Sequence, residues 1–145
     1  MIMDFIKAWD SRKHLLQEYF ESHEQSEYDE YSKLVALLFK VVINPDRNEK
    51  GESEFDTDLM TVVNNGDYQG SLLFIIPTDT YQPAPYEYVI TTVNYGSCSE
   101  CDTLLGIIGE GTGLPSREQV KEYMTVCLHL LQRCKYIYTA DEYFS

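Results

Sequence analysis

Lysine and arginine are missing from the whole stretch between Gly51 and Ser116, although ten aspartates and glutamates fall within it. The chain as a whole carries a formal net charge of −13. Phosphate repels such a surface, so the expectation is no direct binding to nucleic acid or to an anionic membrane. Long apolar runs are lacking too. The longest, Leu34 to Ile43, is interrupted by Lys40 and is far too short to cross a bilayer. Catalytic signatures are also missing. There is no Gly-x-Ser-x-Gly elbow, no His-Glu-x-x-His pair and no kinase set. Gly109-x-Gly111-x-Gly113 has neither a preceding strand nor a following lysine, so it reads as a loop and not as a phosphate cradle. The N-terminal Met-Ile-Met-Asp-Phe-Ile-Lys lacks the basic-then-apolar order of a signal peptide, and a cytoplasmic location is the resulting expectation.

What is present fits a folded domain. Apolar residues make up 43% of 145 positions, too many for a disordered chain and enough for one core. The spacing of Phe5, Trp9, Leu16, Tyr19 and Phe20 predicts a helix over 4–23. Ser26 followed by Asp29 resembles a capping box and predicts a second helix over 26–43, ended by Asn44-Pro45. Tyr31, Leu34, Val35, Leu38 and Val42 form its apolar stripe. Three strands are expected over 59–63, 71–76 and 86–95, the first two joined by the turn-rich Asn64-Asn65-Gly66-Asp67. The unbroken apolar run from Leu72 to Ile76 predicts a central strand covered on both faces. A short helix over 103–108 and a final helix from Pro115-Ser116 to about Tyr138 complete the order α-α-β-β-β-α-α. The expected fold is a single α+β domain over residues 1–145, with an antiparallel meander of about three strands against about four helices.

Chemistry is concentrated in Tyr95-Gly96-Ser97-Cys98-Ser99-Glu100-Cys101-Asp102, where a strand hands over to a helix. Cys98 and Cys101 admit three readings: a redox pair, two ligands of a zinc ion, or structural thiols. Glu100 and Asp102 disfavour thiolate formation and so weaken the redox reading, whereas a divalent cation offsets their charge. Two sulfurs are half of a tetrahedral site. Asp102, Cys127, Cys134 and His129 are the candidates for the rest, with either Cys127 or Cys134 alone able to serve because they stand two helical turns, roughly 10 Å, apart, and zinc is the candidate cofactor. Cys127 and Cys134 share the stripe of Val120, Met124 and Leu131, which is also where plain core cysteines sit.

A second group is acidic. Glu18, Glu21, Glu24, Glu27, Asp29 and Glu30 follow one another with no lysine or arginine between His14 and Tyr31. This is either a solvated face or a row of carboxylates that imitates phosphates and attracts a basic protein. Asp67, Tyr68 and Gln69 stand between the first two strands, and a turn requires neither Tyr68 nor Gln69. With twelve tyrosines in the chain, Tyr68, Tyr81 and Tyr86 are candidate anchors of an interface.

Three strings, Asp67-Tyr68-Gln69-Gly70, Leu72-Leu73-Phe74-Ile75-Ile76-Pro77 and Tyr95-Gly96-Ser97-Cys98-Ser99-Glu100-Cys101-Asp102-Thr103-Leu104, resemble a family of small uncharacterised phage and prophage proteins. The resemblance covers mainly residues 56–108, and Glu100 departs from the small residue expected there. It implies a phage-type origin and a bacterial host cytoplasm. Small acidic phage proteins are often inhibitors of host enzymes or of defence systems, including CRISPR effectors. By that analogy of class, the leading expectation is a binding protein that inhibits a basic, nucleic-acid-handling host protein such as a nuclease or CRISPR effector. Its contacts would come from Glu18, Glu21, Glu24, Glu27, Asp29, Glu30, Asp67, Tyr68, Gln69, Glu100 and Asp102. The alternatives are a zinc-binding protein of separate function and a small thiol–disulfide oxidoreductase.

Overall fold

A computed structural model describes residues 5–26, 29–44, 55–79, 83, 87–97, 102–109 and 113–137. Four α-helices and a four-stranded antiparallel sheet make an α+β fold, as expected. Helix α1 spans Phe5–Ser22, and Ala8, Trp9, Leu16 and Phe20 are its buried side. Helix α2 spans Tyr31–Leu37 and continues as a wider turn over Leu38–Ile43. The Asn44 N–H closes that turn by reaching the Phe39 carbonyl, five residues back, at 2.6 Å. Such an expanded turn at a helix end is a recognised variant of helical geometry.

The start of α2 differs from expectation. Ser26 and Asp29 do bond reciprocally, Ser26 N–H to Asp29 Oδ2 at 3.1 Å and Asp29 N–H to the Ser26 carbonyl at 3.0 Å. They close a separate turn before the helix, and α2 begins at Tyr31 with Glu30 as its N-cap. Two reciprocal bonds satisfy local donors equally well in a turn, which is why the spacing misleads.

Strand β1 covers Thr61–Gly66, β2 Gly70–Pro77, β3 Tyr88–Tyr95 and β4 Lys135–Tyr136. They lie in chain order, each antiparallel to the next. Leu59, expected to open the first strand, ends a short 3₁₀ turn over Thr57–Leu59 in which the Asp56 carboxylate accepts from Asp58 N–H, and Asn64, Asn65 and Gly66, expected in the turn, continue β1. The two-residue β4 lies beyond the expected strands. It follows α4 (Arg117–Gln132), which stops where Arg133 caps it, short of the anticipated Tyr138. The capping box of Ser116 and Gln119 opens α4 as expected. Helix α3 is Thr103–Ile108.

Phe74, Ile76, Val89 and Val93 point from β2 and β3 into a buried cluster shared with α1, α2, α3 and α4. Buried Thr91 on the same face donates its hydroxyl to the Leu130 carbonyl of α4 at 2.7 Å. The expectation that β2 is covered on both faces is corrected. Phe74 and Ile76 are buried, but the intervening Leu73 and Ile75 remain partly exposed, and β1 is exposed along its whole length. Asn44 anchors the other end of the sheet. Its amide donates to the Phe55 carbonyl and its Oδ1 accepts from Phe55 N–H, both at 3.0 Å. Phe55 then packs edge-on against Phe39 at 5.3 Å between ring centroids.

Candidate interaction surface

The hairpin joining β1 and β2 holds Asp67, Tyr68 and Gln69 at its tip. Gly66 and Gly70 face each other at its neck. A side chain on Gly66 would lie 2.8 Å from the Gly70 Cα, and Gly66 has φ +155°, so the neck demands glycine. The tip is therefore held out from the body, and Tyr68 is 82% exposed. The Tyr95 hydroxyl donates to Asn64 Oδ1 at 2.5 Å, fastening the hairpin to the end of β3.

Immediately beyond Tyr95, Asp102 is a buried junction. Its Oδ2 accepts from Gly96 N–H at 2.8 Å, and its Oδ1 accepts from Leu105 N–H at 3.0 Å and from the Tyr31 hydroxyl at 2.9 Å. The Tyr31 oxygen in turn accepts from Leu104 N–H at 3.0 Å. Burial first, then the nearby Asp102, pushes the Tyr31 hydroxyl up to about 12. Asp102 thus caps α3, ties it to β3 and receives α2. It is withdrawn from the acidic contact set, because the chain itself occupies both carboxylate oxygens.

Asp29 is also redirected. It is half-buried, caps the turn at Ser26 and pairs with Lys33 at 3.0 Å. Glu18, Glu21, Glu24, Glu30 and Asp67 are exposed, as a contact surface requires. Glu27, Tyr81, Tyr86, Glu100, Cys98 and Cys101 lie outside the described residues.

The two remaining cysteines pack in or against the apolar cluster. Cys127 is fully buried in the apolar cluster, and burial pushes its thiol up to about 12. Cys134 donates its thiol to the Leu130 carbonyl at 3.4 Å and is likewise pushed up by burial to about 12. No group of three or more His, Cys, Asp or Glu side chains among the described residues is placed to hold a metal. The core-cysteine reading of that stripe is the one the packing supports.

Ser22 and His23 form an adjacent hydroxyl–imidazole pair at the end of α1, with Oγ and Nδ1 3.1 Å apart, but the geometry does not make a nucleophile and base. His23 Nδ1 is also 2.8 Å from the Tyr19 carbonyl. A carbonyl only accepts, so Nδ1 carries the proton and cannot take one from Ser22. The small cavity lined by Phe20, Gln25, Leu104 and Tyr123 holds about 20 Å³, room for one water.

Sequence reasoning missed the polar clamps on Asn44, Gln25 and Thr91. The Tyr123 hydroxyl donates to Gln25 Oε1 at 2.7 Å, across 98 positions of sequence. No periodicity or motif signals such partners. No protein-family model, curated protein or solved structure matches this chain.

Proposed function

We propose that this chain is a non-enzymatic binding protein that inhibits a basic, nucleic-acid-handling protein of a bacterial host, with a nuclease or CRISPR effector as the partner class. The observation that carries the reading is Tyr68, an 82% exposed aromatic beside Asp67 on a hairpin tip held by a glycine neck. An aromatic presented in this way on a chain of net charge −13 suits an anchor inserted into a basic cleft. Exposed Glu18, Glu21, Glu24 and Glu30 supply the charge that steers the encounter. Inhibition follows because carboxylates seated there exclude the phosphates the cleft would otherwise hold.

The test is capture from a bacterial lysate at low salt, followed by a nuclease assay on the captured protein. A basic protein should bind, elute as salt rises, and lose activity in proportion to the chain added. Tyr68→Ala, and separately Glu18→Lys with Glu21→Lys and Glu24→Lys, should abolish capture without lowering the melting temperature. Retention of the partner by both variants, or capture that salt does not weaken, would overturn the reading.

A further inference from the structure

Among the described residues the sheet carries no acidic side chain. None of Thr61–Gly66, Gly70–Pro77, Tyr88–Tyr95 and Lys135–Tyr136 contains an aspartate or glutamate, although the chain has 24. Alternation sends Phe74, Ile76, Val89 and Val93 toward the helices and the residues between them to the opposite face. On that outer face Leu73, opposite Thr92, and Ile75, opposite Ile90, form an aliphatic centre, with Val63 from β1 beside them. Val63 is 43% exposed, and Leu73, Ile75 and Ile90 are partly exposed. A sheet with one solvated face ordinarily turns polar side chains outward. Here those are uncharged, Thr61, Asn65, Ser71, Thr92 and Asn94 surrounding the aliphatic centre, and the charges at the edge are both basic, Lys135 opposite Ile90 and Arg133, whose guanidinium donates to the Thr92 carbonyl at 3.3 Å.

We infer that the outer face of the sheet is the contact between two copies of this chain, packed face to face about a twofold axis. The charge pattern selects the occupant. A basic partner would find no carboxylate here, whereas a second copy brings an equally neutral, aliphatic face. Two chains of charge −13 repel each other, and the strands of this face can meet with no strand acid opposed to another. Inner faces of stacked sheets pack in this manner, about 10 Å apart. The strands cover roughly 400 Å² per copy from their spacing and rise, about 800 Å² for the pair, which is below the roughly 1,000 Å² that a stable specific contact clears. The dimer is therefore weak and concentration-dependent. Salt strengthens it by screening the repulsion, the reverse of its effect on a basic partner.

Analytical ultracentrifugation of the full chain over about 5 to 500 µM, at low and at high salt, tests this. The weight-average mass should climb from 16.8 kDa toward twice that value, and climb earlier at high salt. Thr92→Glu changes an exposed polar position at the centre of the face and sets two new carboxylates near the twofold axis. It should hold the chain at one copy while leaving its melting temperature at the parent's. Val63→Glu should do the same from β1. A parent that stays monomeric throughout overturns the inference and leaves the face to a different occupant. A dimer that survives both variants also overturns it, and moves the contact to the outer edge of β1 or to the helices.

Discussion

Tyr31 and Asp102, 71 positions apart, share one buried hydrogen bond of 2.9 Å, and the same tyrosine oxygen accepts Leu104 N–H. The pair joins the start of α2 to the start of α3. Tyr31→Phe would leave Leu104 N–H without its acceptor and Asp102 without one donor. It should destabilise the fold by about 1–3 kcal/mol, read from urea denaturation. Asp102→Ala also removes the α3 cap and the Gly96 bond, and should cost more than Tyr31→Phe.

Alkaline pH should loosen the fold. Tyr31, Tyr123, Cys127 and Cys134 are all raised to about 12, in each case chiefly by burial. Their folded values exceed the unfolded ones of 10 for tyrosine and 9 for cysteine. The stability they contribute is intact below pH 9 and is lost as pH rises toward 12. Each group adds a slope of up to about 1.4 kcal/mol per pH unit within its own window. Denaturation midpoints at pH 8 and pH 10.5 should differ in this direction, and a flat profile would contradict the burial of these groups.

Leu38→Asp and Phe74→Asp should each unfold the chain, since both side chains are fully buried and a lone buried carboxylate costs more than a domain's net stability. Circular dichroism should show the loss. Cys127→Ala removes only one core sulfur and should cost about 1 kcal/mol. It should leave any metal content of the purified protein unchanged, because that thiol faces only the apolar cluster.

The isolated chain should show no measurable affinity for DNA or RNA near physiological salt. Lys13, Arg117 and Lys121 do line one open groove between α1 and α4, but Glu21 lines it as well and Glu118 lies 3.8 Å from Lys121. Too few uncompensated cations remain to displace counterions from phosphate. Sub-micromolar binding in a gel shift would contradict this and would point to that groove.

Much of the architecture was legible in the sequence because it follows from periodicity. Trp9, Leu16 and Phe20 recur at helical spacing and are buried, and so are Leu34, Val35, Leu38 and Val42. The turn signal at Asn64–Asp67 placed the first hairpin. Boundaries set by competing hydrogen bonds were not legible, as Ser26 and Asp29 show. The cover of β2 was misjudged because an apolar run cannot say whether its second face meets another element of the same chain. Asp102 is the sharpest case among the site residues. Its sequence neighbours suggested an exposed acid, whereas its environment is set by Tyr31, 71 positions away.

The meander runs in chain order, so synthesis delivers β1, β2 and β3 before α4, which supplies Leu130 and Leu131 to their covered side. For the interval in which about forty more residues are made, a few seconds at ordinary elongation rates, the nascent sheet holds Phe74, Ile76, Val89 and Val93 without that helix. Neutral strands in that condition tend to pair with neighbouring chains. The carboxylates of α1 and of the segment leading into α2 are already translated by then. Like charge on the run from Glu18 to Glu30 of neighbouring nascent chains opposes their close approach at that stage.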